Sequence, residues 1–372
     1  GKVLYASKAA SFKRMYEIVA EEGLSADVVS AGEIRTALKA GFPMDRLYFH
    51  GSSKADSEIS YAIASGVGCF VVDNVEELHA VNREAGSAGI RQRVLLRVTP
   101  GIDPHTYDAV STGKVDSKFG VAIETGQAKE FVAEALQQEN LELCGLHCHV
   151  GSQVFDEDVY ERTVDIMLAF MAEVRDSFGV TLEELNLGGG YGVRYIESDK
   201  HIDIPARVKA LAEHIKALAK KLSYPMPVIL MEPGRSIVAD AGMTLYTVSS
   251  VKRIPGYKSY VAVDGGMTDN PRYALYGSKY TVLDVTAPQK TETFDLAGRC
   301  CESGDIIQPN VSLNAEIKRG DLVAVCTTGA YNYSMASNYN RVPRPPIVML
   351  GEGGDYLAVR RETLDDIVSM DV

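Results

Sequence analysis

Eight short apolar, β-branched runs recur along the first two thirds of the chain, and that recurrence limits the fold more than any single motif. They lie at Lys2–Ala6, Asp27–Ser30, Leu47–His50, Cys69–Val72, Val94–Val98, Glu142–Val150, Glu184–Leu187 and Val228–Met231. Most are followed by residues at helical spacing, such as Phe12, Met15, Tyr16, Val19 and Ala20 ending at Gly23, or Ile166, Phe170, Met171 and Val174 ending at Gly179. Strand and helix alternating eight times imply parallel pairing, closed into a (β/α)8 TIM-type barrel. An open doubly wound sheet is the rival on pattern alone. After the eighth strand no clear helix follows: Ser236–Gly242 leads straight into the β-like run Thr244–Val251.

From about Met243 the texture changes to strands and turns. Ser259–Val263, Leu322–Cys326, Ile347–Leu350 and Tyr356–Val359 are separated by Asp-Gly-Gly, Arg-Gly-Asp and Glu-Gly-Gly turns. The expectation is α/β plus all-β: a barrel over residues 1–241, then a mainly β domain, sandwich or barrel, over 242–372. A short helix is expected within Glu362–Met370.

Composition narrows the function classes. With 372 residues, 46% hydrophobic and 24% charged, the chain can bury a sizeable core. A formal net charge of −12 with scattered basic residues offers no phosphate-backbone footprint and no polybasic membrane patch, so neither nucleic acid nor membrane is an expected partner. No apolar run approaches the roughly 20 residues needed to span a bilayer, and no signal peptide is visible. A cytoplasmic enzyme is the default. Six cysteines are too sparse for a disulfide scaffold.

Barrel active sites are built at the C-terminal ends of the strands. There this sequence puts Lys8, Asp27 and Ser30, His50, Asp73, Arg97, His147 and His149, Gly188-Gly189-Gly190, and Glu232-Pro-Gly-Arg235. Glycines after strand seven and a Pro-Gly-Arg turn after strand eight suit a phosphate, because bare N–H groups approach its oxygens and Arg235 adds charge; equally, such glycines can serve a tight turn alone. Lys8 reads either as a solvated surface charge or, in an enclosed mouth, as a Schiff-base former. Strand alternation puts His147 and His149 on one face and Cys144 and Cys148 on the other, so the four cannot share an ion. The two imidazoles with Asp73 or Glu232 remain a weaker zinc alternative to packed or ring-stacking histidines.

The segments Tyr5-Ala-Ser-Lys8-Ala, Phe49-His-Gly51, Asp116-Ser-Lys-Phe-Gly120, His147-Cys-His-Val-Gly-Ser-Gln153, Leu187-Gly-Gly-Gly190, Glu232-Pro-Gly-Arg235, Asp264-Gly-Gly-Met-Thr-Asp-Asn270, Cys300-Cys-Glu-Ser-Gly-Asp305 and Gly329-Ala-Tyr331 resemble the diaminopimelate decarboxylases. These are fold-type III, alanine-racemase-like enzymes that use pyridoxal 5′-phosphate (PLP). The resemblance runs through essentially the whole chain in order. It implies that Lys8 carries the cofactor, Glu232 pairs with its ring nitrogen, His149 stacks on the ring and Asp27 lies near both lysine and ring. Ser152, Gly189, Gly190, Gly234, Arg235 and Tyr331 would hold the phosphate. Arg235, Arg272, Tyr276 and Tyr331 would serve the substrate, with Glu302 on its distal amino group. Two arginines select a distal carboxylate, where ornithine would want acids.

In the resemblance Cys301 protonates Cα after CO2 leaves, and Cys301-Glu302 enter the site from the other subunit of a homodimer; Cys300 reads better as a small packed side chain. The implied reaction is meso-2,6-diaminopimelate to L-lysine and CO2, the last step of bacterial lysine biosynthesis, with no metal. The alternative is a sister decarboxylase of ornithine, arginine or a carboxylated polyamine. A zinc-dependent barrel hydrolase and a catalytically dead regulatory homologue are further readings, and the second is disfavoured by the presence of both Lys8 and Cys301. The sequence departs from the pattern twice. The resemblance implies some dozens of residues before the lysine strand, supplying a β-domain strand and a barrel helix, and Tyr273 follows Arg272 where a proline is usual.

Overall fold

The computed structural model describes residues 1–103, 115–285 and 290–372. It divides into two compact units, residues 1–192 with 201–236 and residues 193–200 with 237–372.

The first unit is a closed parallel barrel. Its strands are β1 (Lys2–Ala6), β2 (Ser25–Val28), β3 (Leu47–Phe49), β4 (Cys69–Val72), β5 (Gln92–Thr99), β6 (Leu141–His147), β7 (Glu184–Asn186) and β8 (Val228–Met231). Each pairs in parallel with its sequence neighbour, and β1 pairs with β8 to close the ring. The open-sheet rival is thereby excluded. A two-residue strand, Val121–Ala122, adds to the end of β5.

Between the strands run α1 (Lys13–Glu21), α2 (Ala31–Lys39), α3 (Asp56–Ala64), α4 (Val75–Ser87), α5 (Gln127–Ala135), α6 (Val159–Phe178) and α7 (Ile204–Lys221), with a four-residue α8 (Arg235–Val238) after β8. Side-chain caps start three of them: Ser30 on Glu33 N–H, Asn74 on Glu77 N–H, and Asp203 on Ala206 N–H. Each satisfies an otherwise orphaned donor, worth about 1 kcal/mol.

Leu4, Tyr48, Cys69, Val71, Leu95, Cys144 and Leu230 fill the barrel as one buried cluster. Cys144 belongs there because the ladder slips at it: Val94 pairs with Leu143 and Leu95 with Gly145. The extra residue is a bulge that breaks period-2 alternation, a signal that the uniform alternation expected for Glu142–Val150 could not contain. The strand also stops at His147, so His149 lies in the following loop.

The second unit has a six-stranded sheet, in the order β11-β14-β9-β10-β12-β13, and a separate hairpin, β15-β16. The strands are β9 (Met243–Arg253), β10 (Ser259–Val263), β11 (Val282–Asp284), β12 (Thr291–Ala297), β13 (Ile306–Asn314), β14 (Leu322–Cys326), β15 (Ile347–Gly351) and β16 (Gly354–Val359). Val248, Val261, Val263, Phe294, Leu296, Ile307, Leu313, Val323 and Val325 form its core. Tyr195, from the segment 193–200, packs edge-on against Tyr280 at 5.3 Å. Short helices α9 (Arg272–Tyr276) and α10 (Leu364–Val368) complete it, the second capped by Thr363. Among the described residues no helix is long and apolar enough to cross a membrane.

Candidate active site

Ring closure sets the ends of β1, β7 and β8 side by side. Backbone bonds extend the pairing beyond the strands, Ala6 N–H to Pro233 O at 3.0 Å and Glu232 N–H to Gly188 O at 2.8 Å. The Lys8 segment, the triple glycine and the Glu232-Pro-Gly-Arg235 turn are thus brought together within the first unit.

Glu232 is the electrostatic centre. It is buried, and its Oε1 accepts from Asn186 Nδ2 at 2.7 Å while Oε2 meets His147 Nε2 at 3.1 Å. His50 Nε2 approaches Oε1 to 2.8 Å, out of line for a hydrogen bond. Burial by itself would raise this carboxyl, but His50 and His147 together hold it well below the usual carboxylate range. Burial keeps both imidazoles neutral, with His147 pushed down to about 4. The result is an anion held by N–H donors in a desolvated wall.

The weaker zinc alternative, His147 with His149, does not match the grouping in the structure. Among the described residues, the three groups whose ligand atoms converge, within 4.8 Å of one another, are His50, His147 and Glu232. His149 belongs elsewhere: Gly189 N–H donates to its Nδ1 at 3.3 Å, and its imidazole is pushed well down, by burial first and then by Lys8 and Arg97. Asn186 is a site residue that the sequence reading missed altogether. Its only signal was its place at the C-terminal end of a barrel strand.

Lys8 sits in the 3-10 turn Ser7–Ala9 after β1 and is exposed at the mouth. Asp27, on neighbouring β2, is buried, and one of its oxygens has no hydrogen-bond partner. Burial and then the Glu232 charge push its carboxyl well up, against the pull of Lys8. Asp73 accepts from Gly120 N–H at 3.0 Å, tying the Asp116–Gly120 segment to the end of β4.

A cradle lies beside these groups. Arg235, buried, donates from Nη2 to Ser152 Oγ at 3.1 Å. Gly190 has φ +114°, open to glycine alone, and a side chain there would run into the Gly151 carbonyl. Tyr160 Oη, stacked on Tyr191 at 4.5 Å, donates to Gly189 O at 3.0 Å and supports the turn from behind.

The remaining expected residues lie in the second unit. Arg272 is buried, its guanidinium 5.4 Å from the Tyr276 ring and 5.7 Å from the Tyr331 ring, and its Nε has no hydrogen-bond partner. Tyr331 has φ +62°. Tyr273 occupies the first turn of α9, where a proline would also fit. Cys300 is partly buried, and burial with the neighbouring Asp305 pushes its thiol up to about 11. Cys301 and Glu302 are exposed, and all six cysteines are free thiols.

Residues 1–239 match the family model for the pyridoxal binding domain of pyridoxal-dependent decarboxylases. Over 373 aligned residues the chain is 46% identical to the diaminopimelate decarboxylase of Bacillus subtilis (strain 168), covering 100% of this chain and 85% of that enzyme. The chain belongs to the diaminopimelate decarboxylase family. Within that family it is also similar to the Staphylococcus aureus (strain COL) enzyme, at 42% identity over 99% of this chain and 86% of the relative. The crystal structure of the M. jannaschii diaminopimelate decarboxylase in co-complex with L-lysine superposes with a TM-score of 0.93 at 33% identity, covering 100% of this chain and 84% of that one.

The cofactor of this decarboxylase family is PLP, and the donor set fits it. Glu232 offers a carboxylate for a ring N–H, Lys8 an exposed amine, and Ser152, Arg235 and the bare backbone at Gly189 and Gly190 offer donors to a phosphate.

The buried histidines carry a pH signature. His147 is neutral when folded down to about pH 4, whereas the unfolded chain takes up its proton near 6.5. Between these values the unfolded state binds more protons, so the contribution is complete above about 6.5 and is lost as pH falls toward about 4. His147→Gln is therefore expected to lose less Tm than the parent between about pH 7.5 and about pH 5, measured by calorimetry.

Proposed function

We propose that this protein decarboxylates meso-2,6-diaminopimelate to L-lysine and CO2 with PLP, in the cytoplasm and as a homodimer. The observation that carries the reading is the 46% identity to a diaminopimelate decarboxylase over 100% of this chain. Lysine bound to the M. jannaschii enzyme supports it.

Bound PLP supplies a sink for the electron pair left at Cα as CO2 departs. Lys8 Nζ is the amine that would hold the cofactor covalently. Glu232 would accept a hydrogen bond from the ring nitrogen and keep that nitrogen protonated; its carboxyl, held well below the usual carboxylate range, suits the task. His149 would cover the ring face, and Asp27 would stand beside the lysine and the ring. Ser152, Gly189, Gly190, Gly234, Arg235 and Tyr331 would hold the phosphate. Arg235, Arg272, Tyr276 and Tyr331 receive the substrate, the guanidiniums taking its distal carboxylate and Glu302 its distal ammonium. Cys301, contributed with Glu302 by a partner subunit, places its thiol proton on Cα.

Release of CO2 from diaminopimelate, compared with ornithine and arginine, tests the reading. Turnover of either of those without turnover of diaminopimelate overturns it. Glu232→Gln, which keeps the shape and loses the charge, is expected to lower kcat by about 100-fold or more, with a smaller change in KM.

A further inference from the structure

We infer that Asp305 and Asn340 are positioning residues that fix the backbone of Cys300–Glu302, and with it the place from which the Cys301 thiol delivers its proton. The inference rests on the decarboxylase reading above and adds two residues to it.

Exposed loops are ordinarily the loosest parts of a fold. This one is held amide by amide. Arg299 N–H donates to Gly265 O at 2.9 Å, Cys300 N–H to Asp305 Oδ2 at 2.7 Å, and Cys301 N–H to Asn340 Oδ1 at 2.8 Å. Three consecutive N–H groups are thus bonded, one to the loop's own Asp305 and two to other segments. The loop is also closed on itself, Gly298 N–H donating to Asp305 O at 2.9 Å and Asp305 N–H to Glu302 O at 3.1 Å.

Asp305 is the pin. It is buried, 3% exposed, and its other oxygen accepts from Met267 N–H at 2.6 Å, so one carboxylate ties the Asp264–Asn270 turn to the cysteine pair. Charge-assisted bonds of this kind are about twice as strong as neutral ones. The carboxylate fits because Gly298 and Gly266 flank it: a Cβ on Gly266 would lie 2.6 Å from both its oxygens, and one on Gly298 closer still.

Asn340 holds the other side from a left-handed conformation, φ +51°. Cys301 is consequently fixed through its backbone while its side chain stays exposed. A proton donor needs that combination, since a misplacement of about 1 Å costs on the order of 100-fold in rate.

Asp305→Asn keeps the shape and loses the charge, and Asn340→Gly removes the acceptor while keeping a residue that tolerates positive φ. The readouts are amide exchange over 299–301, kcat and KM for diaminopimelate, and lysine formed per CO2 released, each at matched folded fraction. Both variants are expected to exchange at least about tenfold faster, to lose about 10- to 100-fold in kcat with KM changed less than about threefold, and to form less than one lysine per CO2. Should Asp305→Asn not fold, Asn340→Gly decides. Parental exchange, or faster exchange with parental kcat and lysine yield, overturns the inference alone. A parent that releases no CO2 from diaminopimelate overturns the decarboxylase reading, and the positioning role falls with it.

Discussion

Lys8→Ala is expected to abolish turnover, with kcat down by at least about 10³-fold, and to remove the visible absorbance of the PLP-loaded protein. The size of the effect follows from where the amine sits. Lys8 leaves the barrel at the end of β1, next to Asp27 on β2 and across from His149, and its charge is felt by both. Nothing else in the Ser7–Ala9 turn offers a nucleophilic nitrogen. The spectrum separates two causes of inactivity, because a variant that merely binds substrate poorly keeps the band. A Lys8→Ala protein that keeps the band and parental turnover would remove the lysine from the chemistry.

Cys301→Ala is the second large effect. CO2 release is expected to slow by about 100-fold, and lysine formed per CO2 to fall below one, because the variant lacks the thiol proposed to protonate Cα. The neighbour does not substitute. Cys300 is partly buried, its N–H bonded to Asp305, and its thiol pushed up to about 11, which makes it a poor acid near neutrality. Cys300→Ala is therefore expected to keep the parental lysine yield. Lysine per CO2, measured by chromatography alongside trapped CO2, checks both. Parental rate and yield in Cys301→Ala would assign the proton to another group.

Much of the site was legible before any coordinate. Lys8, Glu232, Arg235 and the triple glycine follow barrel strands, and a strand's C-terminal end is where a barrel presents functional side chains. The cysteine pair was legible only through its motif, since neither composition nor spacing distinguishes a packed thiol from a proton donor.

The failures have a common form. The weaker zinc alternative set His147 and His149 together on an assumed strand, yet the strand stops at His147, and the imidazole that joins His147 beside Glu232 is that of His50, just past the end of β3. Asn186 and Asp305 carry ordinary polar side chains in ordinary positions; only their partners, 46 residues away in Glu232 and 38 away in Met267, give them meaning.

Hydrophobic period reports which face of a local element is buried, and it acts within a few residues, so the sequence by itself determined the alternating strands and helices, the change to β texture near Met243 and the order of the motifs. Ring closure, the bulge at Cys144, the grouping of 193–200 with the second unit and the encirclement of Glu232 were decided by the tertiary structure. Each depends on which distant backbones end up within hydrogen-bond reach, and that distance is set by how the whole sheet closes.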